Sequence, residues 1–172
     1  MRLDDDDFRL FELLPRQAQD RAELDSRWRQ LQGAAHPDRF AAEGAQAQRL
    51  AMQWAVRINE AYQRLKDPLA RAAYLCGLRG APIDAERNTA MPPDFLQQQM
   101  AWREALDDAE GSDALQQLDA EIAAQEHALL TCVQVELDER DAPAAAAQHV
   151  RALMFLARLR QQIGRRLDAL AA

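Results

Sequence analysis

The sequence has little of several features that would indicate a particular class of protein. It contains two cysteines in 172 residues, Cys76 and Cys132, and they lie too far apart for a Cys-x-x-Cys motif. Neither a zinc site nor a disulfide framework is predicted, and we expect both cysteines to be small buried residues. No run approaches the roughly 18 apolar residues of a membrane helix, and the start MRLDDDD lacks the apolar core of a secretion signal. These absences predict a cytoplasmic protein with no membrane partner.

Concentrated positive charge is also missing. The net charge is −7, and by residue count residues 9–80 carry +4 whereas residues 81–145 carry −12. Nucleic-acid binding needs clustered lysine and arginine, so nucleic acid is not a predicted partner. A thinly basic segment followed by a strongly acidic one instead favours two modules with different partners.

Apolar residues recur at helical spacing along most of the chain, so the predicted fold class is all-α. Two long patterns in the N-terminal part predict an antiparallel helical hairpin. Their inward-facing residues are Leu24, Trp28, Leu31 and Ala35 in the first helix, and Ala47, Leu50, Ala51, Trp54, Ala55, Ile58, Ala61, Tyr62 and Leu65 in the second. Three further patterns, which begin near Pro93, Ser112 and Pro143, predict an antiparallel three-helix bundle.

The two hairpin helices are separated by the segment His36-Pro37-Asp38-Arg39-Phe40. Pro37 has no backbone N–H and restricts His36 to an extended conformation, so the preceding helix must end here. An imidazole and a carboxylate are thereby displayed at the tip of the hairpin. Taken alone, the tripeptide is an ordinary helix break. An enzymatic acid and base pair is a second alternative, although no nucleophile, metal-ligand set or phosphate-binding glycine loop accompanies it.

The sequence after the loop favours a third interpretation. Residues 58–75 read INEAYQRLKDPLARAAYL, and with the His-Pro-Asp segment they closely resemble the J domain, a co-chaperone module that stimulates ATP hydrolysis by DnaK-type chaperones. The resemblance covers about residues 8–78. It implies that the chain activates a chaperone ATPase and is not itself an enzyme, with no catalytic residue and no cofactor. The chaperone-binding residues that it implies are Arg27, His36, Pro37, Asp38 and Arg39.

The helix that begins at the proline pair has two apolar faces. Phe95, Trp102 and Leu106 occupy one face, whereas Leu96 and Met100 lie about 100° away from it. The helix could simply be wedged between two neighbours. Alternatively, the second face continues into Glu104 and Asp108 as an exposed patch of the kind that binds a protein. The pattern alone leaves both alternatives open.

The C-terminal half is similar to a more particular family. Residues 94–106, DFLQQQMAWREAL, and 150–159, VRALMFLARL, resemble the HscB family of iron–sulfur cluster co-chaperones in its bacterial form, which lacks a cysteine-rich zinc extension. The resemblance implies an HscA-type chaperone and an IscU-type scaffold protein as partners. The scaffold-binding residues that it implies are Leu96, Met100, Glu104, Asp108 and Phe155. The corresponding domains are a J domain at 1–78, a linker at 79–91 and a scaffold-binding bundle at 92–172.

Three positions depart from what is common in these families. Ala35 stands where an aromatic residue often precedes His-Pro-Asp, and Gln97 and Ala101 replace apolar and acidic residues that are frequent on the scaffold-binding face. We therefore expect a scaffold contact that is weaker or differently shaped. The alternative function is a general J-domain co-chaperone of DnaK for unfolded clients, but the chain has no glycine/phenylalanine-rich or zinc-repeat segment. A purely structural helical protein would leave the context of His-Pro-Asp unexplained.

Overall fold

The computed structural model describes residues 1–172 and contains only helices, which confirms the all-α prediction. The α-helices are α1 Asp7–Leu10, α2 Arg21–Ala35, α3 Ala45–Lys66, α4 Pro68–Leu78, α5 Pro93–Asp108, α6 Gly111–Asp138 and α7 Pro143–Ala171, and a 3-10 helix spans Pro37–Glu43. None of these helices combines the length and apolarity needed to cross a bilayer. The chain divides into two compact units, Met1–Tyr74 and Leu75–Ala172, which are described separately. The domain limits taken from the sequence remain predictions.

The first unit is built on the pairing of α2 with α3. Helix α2 begins at Arg21, because the Asp20 carboxylate accepts hydrogen bonds from the backbone N–H groups of Ala22 at 2.8 Å and Glu23 at 3.2 Å. The helix ends at Ala35, and His36 has the extended conformation, φ −62° and ψ 126°, that a following proline favours. The residues with the most deeply buried side chains in this unit include Phe8, Leu10, Phe11, Leu24, Ile58 and Leu65.

The inward-facing set predicted for the hairpin is only partly buried. Leu24 and Ala35 are the buried residues of α2, whereas Trp28 is partly exposed and stacks on Tyr62 with ring centroids 4.6 Å apart. Leu50 of α3 is exposed, contrary to the prediction. Each helix of the hairpin covers only the centre of the apolar stripe on the other helix. The residues at the edges of each stripe therefore remain exposed to solvent.

Asp7, the last of four consecutive aspartates at the start of the chain, has a fully buried side chain, with 0% of its surface exposed. Its carboxylate lies 2.8 Å from the Arg57 guanidinium and 2.6 Å from that of Arg64. The backbone N–H of Asp7 also donates to the Tyr74 hydroxyl at 2.9 Å. The neighbouring Asp6 caps α1 by accepting a hydrogen bond from the Arg9 N–H. The acidic start of the chain is therefore a structural element that fixes α1 against α3.

The second unit is a three-helix bundle in which α6 and α7 form the most extensive helix pair, and α5 packs less extensively. Its core contains Leu115, Ile122, Val133, Leu137, Val150, Leu153, Leu156 and Ile163. The segment before α5 also belongs to this unit, because the buried side chain of Arg151 donates to the backbone carbonyl groups of Ile83 at 3.0 Å and Ala90 at 3.1 Å. Residues 79–91 are thus held by hydrogen bonds to α7.

Several predicted side-chain environments in this unit are wrong. Cys132 is exposed, whereas Cys76 is buried as predicted. The reason is that the core stripe of α6 passes from Leu129 to Val133, four residues on, and thereby leaves position 132 at its edge. The sequence pattern of α6 also predicts an outward position for its acidic residues, which is wrong for Glu136: this residue is buried and its carboxylate lies 2.7 Å from the His149 imidazole.

Two other acidic residues of α6, Asp119 and Glu126, pair with an arginine of α7. The guanidinium of Arg160 on α7 contacts Asp119 and Glu126, each at 2.8 Å. The hydrogen bonds from Arg160 lower the pKa of Asp119 below its usual value. These contacts tie α6 to α7 at the middle of the bundle.

The buried charge of Asp7 provides a test of the first unit. Asp7→Asn should lower the free energy of unfolding by about 3 kcal/mol, because two arginines would lose their shared carboxylate. Urea unfolding followed by circular dichroism measures this change. Asp4→Asn is the matched control, since Asp4 is exposed and pairs only with exposed Arg2. Equal effects of the two substitutions would contradict the assignment.

The two thiols should differ sharply in reactivity. Burial raises the pKa of Cys76 to about 11, whereas Cys132 is exposed. Because the thiolate is the reactive form, an aromatic disulfide reagent should modify one thiol per folded chain quickly and the second only after unfolding. Cys132→Ser should abolish the fast phase. A fast phase that survives this substitution would show that Cys76 is accessible.

Candidate functional site

The His-Pro-Asp segment lies at the tip of the hairpin with its polar groups exposed. The side chain of Asp38 is 92% exposed and that of His36 is 57% exposed. The His36 Nδ1 atom accepts a hydrogen bond from the Asp38 N–H at 3.3 Å and lies 3.6 Å from the Asp38 carboxylate. This local bond orients the imidazole at the start of the 3-10 helix, which Pro37 begins. The segment is therefore ordered by a local hydrogen bond and accessible to solvent.

Arg39 and Arg27, the predicted basic residues of this site, are held differently. Arg39 turns back along the chain and donates from Nη1 to the Gly33 carbonyl at 2.9 Å, which satisfies one of the last carbonyl groups of α2. Arg27 lies nine residues before His36, about 13 Å away along the helix axis. Its guanidinium contacts Glu23 at 2.9 Å and Glu12 at 3.1 Å. The structure thus places Arg39 beside the loop and Arg27 in a separate ion-pair cluster.

One basic residue of α2 was not singled out from the sequence. Arg29 is exposed and forms no salt bridge, whereas the charge of Arg27 is balanced by two carboxylates. Arg29 precedes His36 by seven residues, which is close to two helical turns, so it lies on the side of α2 that leads to the loop. This spacing was the signal that could have identified it.

An apolar groove of about 350 Å³ lies at the base of the loop. Ala35 is buried and lines this groove together with Phe40, Leu50 and Trp54. Leu50 lines the groove although its side chain is exposed to solvent. The small side chain at position 35 therefore forms part of the wall of a groove beside the His-Pro-Asp loop.

The second candidate surface is a ridge along α5. Leu96, Met100, Glu104 and Asp108 follow one another at four-residue spacing and are all exposed, Leu96 by 54% and Met100 by 72%. The buried residues of α5 are Phe95, Trp102 and Leu106. The alternative in which the second apolar face is wedged against a neighbouring helix is therefore wrong. In this unit the ridge is an apolar patch that continues into carboxylates.

Phe155, the fifth residue of this predicted surface, lies on α7 and is only partly exposed. Its ring meets that of Phe95 edge to face, with centroids 5.9 Å apart, and the Arg103 guanidinium lies 5.2 Å from its centroid. The contact with Arg103 could not be read from the sequence, because it depends on how α5 and α7 are aligned. Phe155 thus contacts α5 through Phe95 and Arg103, which are not members of the ridge.

The structure contains no cluster of three or more histidine, cysteine or carboxylate side chains that could hold a metal ion. The features that stand out are an ordered His-Pro-Asp loop on a helical hairpin in one unit and an exposed apolar and acidic ridge in the other. This combination is that of J-domain co-chaperones with a separate C-terminal helical bundle.

Comparisons with known proteins identify the family within that class. Residues 91–164 match a family model described as the HSCB C-terminal oligomerisation domain. The chain is 48% identical over 171 residues to a co-chaperone protein HscB homolog of Burkholderia multivorans, an alignment that covers 98% of this chain and 97% of that protein. The chain belongs to the HscB family, and its role is that of a co-chaperone in iron–sulfur cluster assembly.

Solved structures agree with this assignment. Chaperone HscB from Vibrio cholerae has a TM-score of 0.81 and 37% identity, and the match covers 96% of this chain and 99% of that one. Human co-chaperone protein HscB has a TM-score of 0.88 and 25% identity, and the match covers 95% of this chain and 82% of that one. The J domain and the C-terminal bundle predicted from the sequence are therefore confirmed as the fold.

Proposed function

We propose that the first unit stimulates ATP hydrolysis by an HscA-type chaperone while the second unit holds an IscU-type scaffold protein. The observation that carries the proposal is the exposure of the ordered His36-Pro37-Asp38 segment, which displays an imidazole and a carboxylate side by side at the tip of the hairpin. The catalytic groups belong to the chaperone. The chain itself acts as an activator in the cytoplasm, without a cofactor.

The contact with the chaperone is assigned to His36, Pro37 and Asp38 together with Arg39 and Arg27. The exposed carboxylate of Asp38 is available to a basic group of the partner, and the fixed imidazole of His36 is available as a hydrogen-bonding group. The charge of Arg27 is shared with Glu23 and Glu12, so its contribution requires exchange of these carboxylates for carboxylates of the partner. Arg29 supplies a positive charge that needs no such exchange.

The contact with the scaffold is assigned to Leu96, Met100, Glu104, Asp108 and Phe155. Exposed Leu96 and Met100 provide apolar area at the centre of the contact, and Glu104 and Asp108 provide a negatively charged margin. A scaffold surface with apolar residues flanked by lysine or arginine would complement this ridge. Because both partners bind one chain, their effective concentration near each other rises, and ATP hydrolysis can trap the scaffold on the chaperone.

The decisive test of this function is steady-state ATP hydrolysis by the cognate HscA-type chaperone, with this protein and the IscU-type scaffold added singly and together. We expect strong stimulation that needs both proteins. His36→Gln and Asp38→Asn should abolish stimulation because they remove the exposed groups, while scaffold binding measured by calorimetry stays unchanged. Equal stimulation of DnaK, or stimulation that ignores the scaffold, would favour the general co-chaperone.

Replacement of the apolar part of the ridge should give the opposite result. The double substitution Leu96→Ala/Met100→Ala should weaken scaffold binding by about tenfold or more, since exposed apolar residues at the centre of a contact carry much of its energy. Stimulation of the chaperone without scaffold should not change. Leu170→Ala is the matched control, because Leu170 is an exposed leucine elsewhere in the same unit. Unchanged scaffold affinity in the double variant would show that the ridge is not the contact.

A further inference from the structure

Helix α5 carries most of the proposed scaffold-binding residues but is weakly fixed by its own sequence. Three of its sixteen residues are buried, and its N-terminus has no side-chain cap. At its C-terminus the Ala109 N–H reaches the Leu106 carbonyl only at 3.4 Å. A helix with few buried residues and weak caps is expected to open or shift easily. Its position must therefore depend on groups supplied by other helices.

Arg166 of α7 supplies such a group at the C-terminal end of α5. Its Nη1 atom donates to the Leu106 carbonyl, and its Nη2 atom donates to the Ala109 carbonyl at 2.8 Å. The last carbonyl groups of a helix have no partners within the helix and carry partial negative charge, so a guanidinium is a favourable cap there. Arg166 thus ends α5 with a charged cap from a different helix.

Arg151 of α7 holds the segment that precedes α5, also through hydrogen bonds to backbone carbonyl groups. Its side chain is 6% exposed and forms no salt bridge, so its charge is satisfied through backbone carbonyl groups. These are the carbonyls of Ile83 at 3.0 Å, Ala90 at 3.1 Å and, at the margin of hydrogen bonding, Pro82 at 3.5 Å. Ala90 lies three residues before α5 begins. The buried guanidinium therefore fixes where the N-terminal end of α5 starts.

The two arginines span the length of α5. They are fifteen positions apart on α7, which is about 22 Å, and the sixteen residues of α5 extend over about 24 Å. Helices α5 and α7 consequently run in the same direction, each end of α5 being fixed by one arginine. The two residues Arg151 and Arg166 together form an arginine clamp on α5. Phe155 lies one turn beyond Arg151 on α7, so the clamp also sets where Phe95 and Arg103 of α5 meet the Phe155 ring.

We propose that Arg151 and Arg166 are positioning residues for scaffold binding: they align the α5 ridge with Phe155 and so form one continuous surface from two helices. The inference rests on the proposed scaffold contact. Neither arginine needs to touch the scaffold. Their contribution is to keep α5 in register with α7 before binding, so that the scaffold does not have to order the helix itself.

Arg166→Met tests this proposal, because the residue is near the surface and its loss leaves the bundle core intact. In the stimulated ATPase assay, the scaffold concentration for half-maximal effect should rise about fivefold or more, while the rate at saturating scaffold stays the same. Amide hydrogen exchange should become faster in α5 and stay unchanged in α6. Arg166→Lys, which keeps one cationic donor, should restore part of the affinity.

Arg160→Met is the matched control. Arg160 is also an arginine of α7 that makes contacts to another helix, but its partners are Asp119 and Glu126 on α6. The substitution should lower thermal stability without changing the half-maximal scaffold concentration. Should Arg166→Met fold poorly, Arg151→Lys provides the second variant, with the same expected loss of scaffold affinity and faster exchange at the start of α5.

The outcomes separate this proposal from the one on which it rests. If Leu96→Ala/Met100→Ala weakens scaffold binding but Arg166→Met and Arg151→Lys bind normally, the ridge stands and the clamp is refuted. If the ridge variant itself binds normally, both proposals fail. If Arg160→Met weakens scaffold binding as much as Arg166→Met, the effect is one of general stability and the positioning role is refuted.

Discussion

The recognition loop depends on one covalent constraint, the ring of Pro37. It ends α2, holds His36 in an extended conformation and begins the 3-10 helix that leads towards α3. The hydrogen bond between the His36 ring and the Asp38 N–H is possible only with this backbone. A side chain other than proline would allow α2 to continue, and the imidazole and carboxylate would then become two ordinary positions on a helix. With Pro37 in place, the hairpin displays the His36 imidazole and the Asp38 carboxylate at its tip.

In the second unit, α5 has exposed apolar residues and must still be held in a fixed position. A helix that keeps Leu96 and Met100 outside has fewer residues left for the core. The guanidinium groups of Arg151 and Arg166 offset this loss with hydrogen bonds to backbone carbonyl groups at both ends of α5. Charge-assisted bonds of this kind are stronger than neutral ones and do not consume apolar surface. The exposed ridge therefore lies on α5, whereas the arginines that hold α5 in position lie on α7.

Charges within the units are used mainly to hold helices together. Asp7, fully buried, joins two arginines of α3, and Arg160 joins two carboxylates of α6. The acidic residues of α5, Asp94, Glu104, Asp107 and Asp108, are all exposed, and Glu104 and Asp108 are the two that continue the ridge of Leu96 and Met100. Among the acidic residues of residues 81–145 only Glu136 is buried, so the acidic surface that the composition indicates is largely present in the structure.

The sequence alone determined the helical class, the break at Pro37 and the three-helix bundle, because helical periodicity and proline stereochemistry act over a few neighbouring residues. Only the tertiary structure decided which side chains are covered, as the exposed Leu96 and Met100 of α5, the exposed Cys132 and the buried Asp7 show. It alone also decided the partners of Arg151 and Arg166. Burial and long side-chain contacts depend on the alignment of helices distant in sequence, and a local pattern does not contain that alignment.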